Sequence, residues 1–267
     1  MEKKMVEVKP TLTDDQIMRF ISEGFVLLEG VIPDEINRLI PKVEAQLPRE
    51  FRDSREFVHG MLLHPEVAGV ARSLLGPDML IPDAADVALS KEPHTGQTWH
   101  TDGLPEESYG IHHLQCFYYP EAVGPEDGPT VLLPGSHFRL VDREAIAHYG
   151  DIVGQIPLVV PAGTVAITQY GLWHRAGPKL NAKPRQMIKL SYFRTGPPQR
   201  DWVIDSEEIP EFAKQATHPY TSEIEGYRDT ARCRHTWDWL CGLERSSDIS
   251  RSGKMFHPPR QLQMVDG

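Results

Sequence analysis

The chain has 267 residues, of which 40% are apolar, and it carries a formal net charge of −10. This length and apolar content are enough for a full hydrophobic core, and they exclude a chain that is disordered throughout. The acidic balance argues against nucleic acid as a partner, because binding phosphate groups requires a basic surface.

The N-terminal part, about residues 11–77, is predicted to be mainly helical. The sequence Thr13-Asp14-Asp15-Gln16 is a capping-box pattern that starts a helix, and Gly24 ends it. A second helix begins near Pro33, and Pro41 should kink or split it. We expect these helices to cover one face of a sheet. The remaining predicted elements of this part are a strand at Phe25–Leu28 and an amphipathic helix at Pro65–Leu75.

From about residue 79 to residue 195 the pattern changes to short strands between turns that are rich in proline and glycine. Together with the strand at Phe25–Leu28, about seven such strands imply an antiparallel sandwich or a jelly-roll barrel. Pro161-Ala162-Gly163 separates two of them and is a hairpin signal. The predicted strands cover residues 85–91, 113–119, 130–133, 156–160, 164–168 and 186–193, and a brief helix covers residues 141–148.

The C-terminal part, about residues 205–267, is predicted to be helical as far as Leu243 and then to continue as a polar tail. Trp237, Trp239 and Leu240 are apolar anchors for packing of that helix. We expect the helical parts and the strands to form a single domain of mixed α+β class. Its core would be a jelly roll with the N-terminal helices packed on one sheet.

The expected compartment is the cytoplasm. Cys116, Cys233 and Cys241 follow no metal-ligand spacing and are predicted to be reduced thiols. The first residues, MEKKMVEVKP, lack the apolar segment of a signal peptide. No apolar run approaches the ~20 residues that a membrane-spanning helix requires.

Residues 98–103, TWHTDG, carry the first candidate for chemistry. Side chains at positions i and i+2 leave the same face of an extended chain, so His100 and Asp102 can be directed at one point. Trp99 then faces away and is predicted to lie in the core. Together with a histidine from elsewhere, this pair would form the 2-His-1-carboxylate triad of non-haem iron(II) oxygenases.

His174 is the candidate for the third ligand among the twelve histidines. It lies at the end of a predicted strand, before a loop, and the neighbouring Trp173 is predicted to lie in the core. Arg185 follows eleven residues later, at the start of a long predicted strand. If the loop joins these strands as a pair, Arg185 lies deeper in the barrel than His174. Its planar guanidinium could there bind the far carboxylate of a metal-bound dicarboxylate.

The order of these motifs resembles the phytanoyl-CoA dioxygenase family of iron(II)/2-oxoglutarate oxygenases. The resemblance covers His-x-Asp, the turn Pro134-Gly135-Ser136-His137, a distal histidine and an arginine eleven residues later. It extends from about Phe25 to Phe193. It implies a double-stranded β-helix, which is a jelly-roll variant with helices packed on its major sheet.

The resemblance also implies roles for individual residues. His100, Asp102 and His174 match the ligands of Fe(II). Arg185 matches the residue that pairs with the 5-carboxylate of 2-oxoglutarate. Tyr118 falls where members of the family often have an aromatic residue beside the cosubstrate.

The implied function is oxidation of a C–H bond of a small organic molecule, with O2 and 2-oxoglutarate as cosubstrates and succinate and CO2 as products. An intact Asp102 favours hydroxylation, or desaturation or cyclisation, over halogenation. The predicted substrate is a natural-product intermediate rather than an acyl-CoA, since no basic cluster for the CoA phosphates is evident. The alternatives are a non-catalytic jelly-roll protein that binds a ligand, and a cupin-type isomerase with another divalent metal.

Two further residues flank the predicted mouth of the site. Lys91 and Gln97 precede the His-x-Asp motif within a polar turn. They could contact the substrate or the cosubstrate, or they could be turn residues that face solvent. Ser136 and His137 are interpreted as a turn that shapes the barrel, because no nucleophile-elbow pattern surrounds Ser136.

Overall fold

The structure is a computed structural model that describes residues 7–102, 110–139, 143–205 and 218–243. It is of mixed α+β class and contains two antiparallel sheets. The strands are β1 (Phe25–Leu28), β2 (Ala45–Gln46), β3 (Asp86–Ser90), β4 (His113–Tyr119), β5 (Thr130–Leu132), β6 (Ile156–Pro157), β7 (Thr164–Gln169), β8 (His174–Ala176) and β9 (Arg185–Phe193). The α-helices are α1 (Asp14–Glu23), α2 (Asp34–Leu39), α3 (Arg49–Arg52), α4 (Arg55–Phe57), α5 (Pro65–Leu75), α6 (Arg143–Ile146) and α7 (Glu223–Leu240). A π-helical turn covers Val58–Leu62 and a 3-10 turn covers Ser136–Phe138.

The larger sheet, called the main sheet below, has six strands in the order β1-β7-β4-β9-β3-β2. The small sheet has three strands in the order β6-β5-β8. Neighbouring strands are antiparallel in both sheets. In the centre of the main sheet, Phe117 of β4 lies opposite Lys189 of β9 and Ala166 of β7.

Strand β4 shows how the layers are arranged. Its even-numbered residues, such as Cys116 and Tyr118, belong to a core cluster that includes residues of α1 and α5. Its odd-numbered residues Phe117 and Tyr119 pack instead with Leu132 of the small sheet. Because successive side chains of a strand point to opposite faces, the main sheet lies between the helices and the small sheet. This confirms that the N-terminal helices cover one face of a sheet.

The capping signals predicted the helix ends well. Thr13 and Gln16 form both hydrogen bonds of a capping box at the start of α1, and Gly24 ends the helix at a φ of 85°. Helix α5 occupies the predicted range. Helix α2 ends at Leu39, before Pro41, so the proline ends the predicted second helix rather than bending it.

The predicted hairpin around Pro161-Ala162-Gly163 is wrong. The strand before it, β6, pairs with β5 in the small sheet, whereas β7 pairs with β1 and β4 in the main sheet. The chain therefore crosses from one sheet to the other at this turn. Backbone hydrogen bonds hold the crossing in place, because Gly163 donates to the oxygen of Tyr119 and its own oxygen accepts from Ile32.

Helix α7 packs on α1, and Trp237 and Leu240 are buried in the same core cluster as the α1 side chains, as predicted. The predicted tail after Leu243 lies outside the described residues. All three cysteines are free thiols. In the part of the chain that the structure describes, none of the helices combines the length and the apolar character that crossing a membrane requires.

Candidate metal centre

Two chain segments meet at the candidate centre and are held in register by their backbones. His100 and His174 each donate a backbone hydrogen bond of 3.0 Å to the other residue's carbonyl oxygen. Such a hydrogen-bonded antiparallel pair places the two residues directly opposite each other. The centroids of the two imidazole rings are 4.5 Å apart. The backbone thus fixes the separation of the two predicted histidine ligands.

Both imidazoles are oriented by a second contact. Nδ1 of His100 lies 2.9 Å from the carbonyl oxygen of Thr98, and Nδ1 of His174 lies 3.0 Å from that of Leu172. A carbonyl oxygen only accepts, so each Nδ1 carries a hydrogen, and Nε2 is the nitrogen of each ring that is left for a metal ion. Burial, reinforced by the neighbouring His174, holds the pKa of His100 below its ordinary value. Neutral imidazoles with a free Nε2 are the form that binds metals.

Asp102 completes the cluster. Its Oδ2 lies 3.3 Å from Nε2 of His174, and its Oδ1 lies 3.9 Å from Nε2 of His100. Oδ2 also accepts hydrogen bonds from Nζ of Lys189 at 2.6 Å and Nε2 of Gln115 at 2.5 Å. Burial alone would raise the pKa of Asp102, but His174 and Lys189 outweigh it and hold the pKa well below its ordinary value. The side chain is therefore a carboxylate.

The donor set fits a divalent metal ion. One ligand atom from each of His100, Asp102 and His174 lies within 4.8 Å of the others. The side chain of His174 is only 5% exposed, and among the described residues its Nε2 has no hydrogen-bond partner. A buried lone pair without a partner is costly unless another group binds it. Two imidazoles and one carboxylate are the facial triad of non-haem iron(II) sites, which leaves coordination positions open.

The Pro-Gly-Ser-His turn positions the segment that leads into β8. Oγ of Ser136 accepts a 2.8 Å hydrogen bond from the backbone of Trp173, whose oxygen accepts from Leu133 at 3.1 Å. Trp173 and Trp99 pack in one apolar cluster with Val131 of β5 and the following Leu133. This confirms that both tryptophans face away from the candidate centre. Their packing and the serine hydroxyl fix the residues next to the two histidines.

Arg185 begins β9 on the face of the main sheet that is turned to the small sheet. It is 6% exposed; its guanidinium donates to the oxygen of Gly128, and among the described residues its buried Nε has no partner. The predicted pairing of its strand with that of His174 is wrong, because β8 and β9 belong to different sheets. The two sheets face each other, so Arg185 still lies on the inner side of the fold.

The prediction for Tyr118 is contradicted by its placement. Its side chain lies in the core layer between the main sheet and the helices, where its hydroxyl donates a 2.7 Å hydrogen bond to Oδ1 of Asn37. The inner face carries its neighbours instead: the Phe117 ring centroid is 5.1 Å from that of His174, and Tyr119 packs toward the small sheet. Alternation along the strand was the signal that could have identified these two residues.

Lys91 and Gln97 are both engaged in local contacts. Nζ of Lys91 forms an exposed 2.5 Å ion pair with Glu44. Gln97 forms two hydrogen bonds with the backbone of Ala176 in β8. Its backbone nitrogen donates to the oxygen of Ala176 at 2.9 Å, and its Oε1 accepts from the nitrogen of Ala176 at 3.2 Å. Gln97 thereby supports the strand of His174. Contact of either residue with substrate stays a prediction.

A cavity of about 360 Å³ opens beside Asp102. The sequence pattern did not point to Gln115 or Lys189, which reach it from β4 and β9. The ring of His113 stacks between Tyr170 and Phe193, at centroid distances of 3.7 and 4.3 Å. The residues that line the cavity are Asp83, Ala84, Asp86, Asp102, Gln115, Tyr170, Lys189, Ser191 and Phe193.

Comparison with known proteins gives one family match. A family model described as Phytanoyl-CoA dioxygenase (PhyH) matches residues 20–187, a range that includes the candidate ligands and Arg185. The dioxygenase af480 of Aspergillus fumigatus is 22% identical over 167 residues, which are 61% of this chain and 53% of that protein. The chain thus spans about half the length of this curated relative.

Solved structures with a similar fold include two proteins whose cosubstrate is stated. HygX from Streptomyces hygroscopicus, with nickel and 2-oxoglutarate bound, has a TM-score of 0.55 at 17% identity, covering 74% of this chain and 94% of that one. SnoN, a non-haem α-ketoglutarate-dependent epimerase from nogalamycin biosynthesis, has a TM-score of 0.52 at 18% identity, covering 68% of this chain and 83% of that one. At these identities the likeness establishes similarity of fold.

Proposed function

Since this chain belongs to the phytanoyl-CoA dioxygenase family, we propose that it is a non-haem iron(II)- and 2-oxoglutarate-dependent dioxygenase. It hydroxylates a C–H bond of a small organic molecule. The observation that carries the proposal is the buried Nε2 of His174, which has no hydrogen-bond partner among the described residues and lies 3.3 Å from Oδ2 of Asp102. We also propose that the two sheets form a double-stranded β-helix within a single oxygenase domain.

The residues of the proposed site have separate tasks. His100, Asp102 and His174 hold Fe(II), while the carbonyl oxygens of Thr98 and Leu172 keep the imidazole protons on Nδ1. When bound, Fe(II) would supply the redox chemistry of the reaction. 2-Oxoglutarate and O2 are converted into succinate and CO2, and the substrate is oxidised in the same cycle.

Arg185 binds the far carboxylate of 2-oxoglutarate in this proposal. The support is its burial on the inner face and its Nε, which lacks a partner among the described residues. A guanidinium forms two parallel hydrogen bonds to a carboxylate, which fixes the orientation of the cosubstrate. The apolar inner residues around it, among them Phe117 and Met187, exclude water from the bound cosubstrate. Tyr119 replaces Tyr118 as the proposed aromatic neighbour.

Asp102 supports hydroxylation as the outcome rather than halogenation, because its carboxylate takes the position that a halide would need. The nickel and 2-oxoglutarate in HygX support the proposed ligands of this chain. The epimerase SnoN has a related fold, so epimerisation by the same site is the competing outcome. The product formed from a substrate that stimulates succinate release distinguishes the two.

Anaerobic titration with Fe(II) and 2-oxoglutarate tests the proposal. We expect a weak visible metal-to-ligand band in the wild type and its loss in His174→Ala, because that variant lacks a ligand. His59 is an exposed histidine of the π-helical turn, and His59→Ala should keep the band. A non-catalytic binding protein would show no band in any variant. Full succinate formation by His174→Ala would refute the ligand assignment.

A further inference from the structure

We propose that the cavity beside Asp102 is the chamber for the primary substrate and that it selects a small molecule carrying a protonated amine. This proposal rests on the proposed function, since it assumes that the triad binds the metal. The amine lies at the end of the cavity formed by Asp83 and Asp86, and the C–H bond to be oxidised lies at the end formed by Asp102. The cavity's volume of about 360 Å³ is at the lower end of the range for ligand sites.

The position of the cavity follows from strand β9. Every fourth position of this strand is considered first, namely Arg185, Lys189 and Phe193. Because an even spacing keeps side chains on one side of a strand, these three share the inner face. At ~3.3 Å per residue, Arg185 and Phe193 each lie about 13 Å along the strand from Lys189, in opposite directions. Lys189 contacts Asp102, and Phe193 lines the cavity. The cavity is therefore on the side of the triad opposite the proposed 2-oxoglutarate anchor.

The charges around the cavity favour a cation. Asp86 lies directly opposite Lys189 in the sheet, but Nζ of Lys189 is committed to Asp102. Asp86 accepts a 3.0 Å hydrogen bond from the neutral side chain of Gln46, and Arg52 contacts the main-chain oxygen of Asp83 rather than its carboxylate. Among the described residues neither carboxylate has an ion-pair partner within 4.0 Å. Two such carboxylates repel anions and attract an ammonium group.

Two further features support a ligand at this place. Asp102 lines the cavity and its Oδ2 lies 3.3 Å from the buried Nε2 of His174, so the inner end of the cavity adjoins the proposed metal position. The outer wall is aromatic, since His113 stacks between Tyr170 and Phe193. Burial lowers the pKa of His113 to about 4, so this ring is neutral near pH 7 and does not repel a cation. Aromatic faces attract ammonium groups.

Three matched probes test the charge preference: benzylamine, benzyl alcohol and benzoate. The protein is loaded with Mn(II) and 2-oxoglutarate, so a probe that binds beside the metal shows paramagnetic relaxation of its protons. We expect benzylamine to be relaxed and to bind about fivefold more tightly than benzyl alcohol, with benzoate the weakest. The double variant Asp83→Asn, Asp86→Asn should abolish the preference. The control Asp34→Asn, at an exposed residue of α2, should retain it.

The outcomes separate this proposal from the proposed function. The proposal for the cavity is overturned, while Mn(II) binding stands, by any of three results. All three probes are relaxed to the same extent, benzoate is relaxed most, or none is relaxed. A preference for benzylamine that persists in the double variant would overturn it too. If Mn(II) itself fails to bind to the wild type, the proposed function falls and this proposal falls with it.

Discussion

Asp102 is a side chain that contacts residues of both sheets of the protein. Lys189 and Gln115 donate to it from the main sheet, and His174 contacts it from the small sheet. Two hydrogen bonds to one oxygen restrict the rotation of the carboxylate, so its position follows the main sheet rather than its own backbone. The relative placement of the sheets therefore decides the geometry of the candidate centre.

Arg185→Met tests the anchor for the cosubstrate. The change removes a buried guanidinium but no metal ligand, so we expect Mn(II) affinity without 2-oxoglutarate to stay unchanged. Truncating one partner of a buried charge pair costs about 2–5 kcal/mol, so the Kd for 2-oxoglutarate should rise about 30-fold or more. Calorimetry of the Mn(II)-loaded protein measures both constants. The exposed Arg38→Met, on α2, is the control, and an unaltered Kd in Arg185→Met would contradict the assignment.

Single residues could be predicted where the local pattern carries the information. His100 and Asp102 share a strand face two residues apart, and the sequence context separates His174 from the other histidines. Lys189 and Gln115 could not be predicted, because they lie 87 and 13 residues from Asp102 and no local pattern marks them. A position counted from a family motif gave Tyr118, although strand alternation places that residue on the other face.

A buried carboxylate of helix α1 binds the chain segment that follows β9. Asp14, in its first turn, accepts hydrogen bonds of 2.7 Å from both Arg200 and the indole of Trp202. A carboxylate near a helix N-terminus is also favoured by the helix dipole. Arg200 pairs with Asp14, and Asp201 pairs with Arg72 of α5. Both therefore attach elements to each other.

Asp14→Asn should destabilise the protein by about 3 kcal/mol at neutral pH, because it removes the buried negative charge that the Arg200 guanidinium contacts. Burial raises the pKa of Asp14, but hydrogen bonds from Arg200 and Trp202 lower it by more, so the pKa lies below its ordinary value. Such a carboxylate stabilises the folded state above the unfolded-chain pKa of about 3.9 and loses that contribution as the pH falls.

The difference between wild type and Asp14→Asn should therefore be largest near pH 7 and shrink in acid. Urea unfolding of the chelator-treated protein between pH 7 and pH 3 measures it. Asp34→Asn alters an aspartate in the first turn of α2 whose ion pair with Arg38 is exposed, so its effect should stay below about 1 kcal/mol. If the loss of stability in Asp14→Asn does not vary with pH, the lowered pKa of Asp14 does not contribute to stability and the prediction is wrong.

Elements with their own local signals were predictable, and elements that depend on their neighbours were not. The capping box fixed the start of α1, and alternation with aromatic residues fixed β4 to its exact ends. The strands β5, β6 and β8 have only two or three residues each, too few to show a period. The partner of such a strand is chosen by packing across the fold, so Pro161–Gly163 looked like a hairpin from local sequence alone.

At the scale of the molecule, the proposed metal site joins two parts of the protein. Its ligands come from the segment that carries His100 and Asp102 and from β8 of the small sheet, and Lys189 connects Asp102 to the main sheet. The buried clusters on the two faces of the main sheet are separate, one toward the helices and one toward the small sheet. A metal ion held at this junction would add a connection between the small sheet and the main sheet.

Metal binding should therefore raise the stability of the whole fold. A ligand that binds only the folded state adds about 2.7 kcal/mol to the free energy of unfolding when its free concentration is 100-fold above its Kd. We expect this increase for Mn(II) in the wild type and in His59→Ala, its reversal by a chelator, and its loss in His174→Ala. Denaturant unfolding with and without metal measures it, after the Kd is determined separately. An equal increase in His174→Ala would place the metal at another site, because that variant lacks the Nε2 that β8 contributes to the junction.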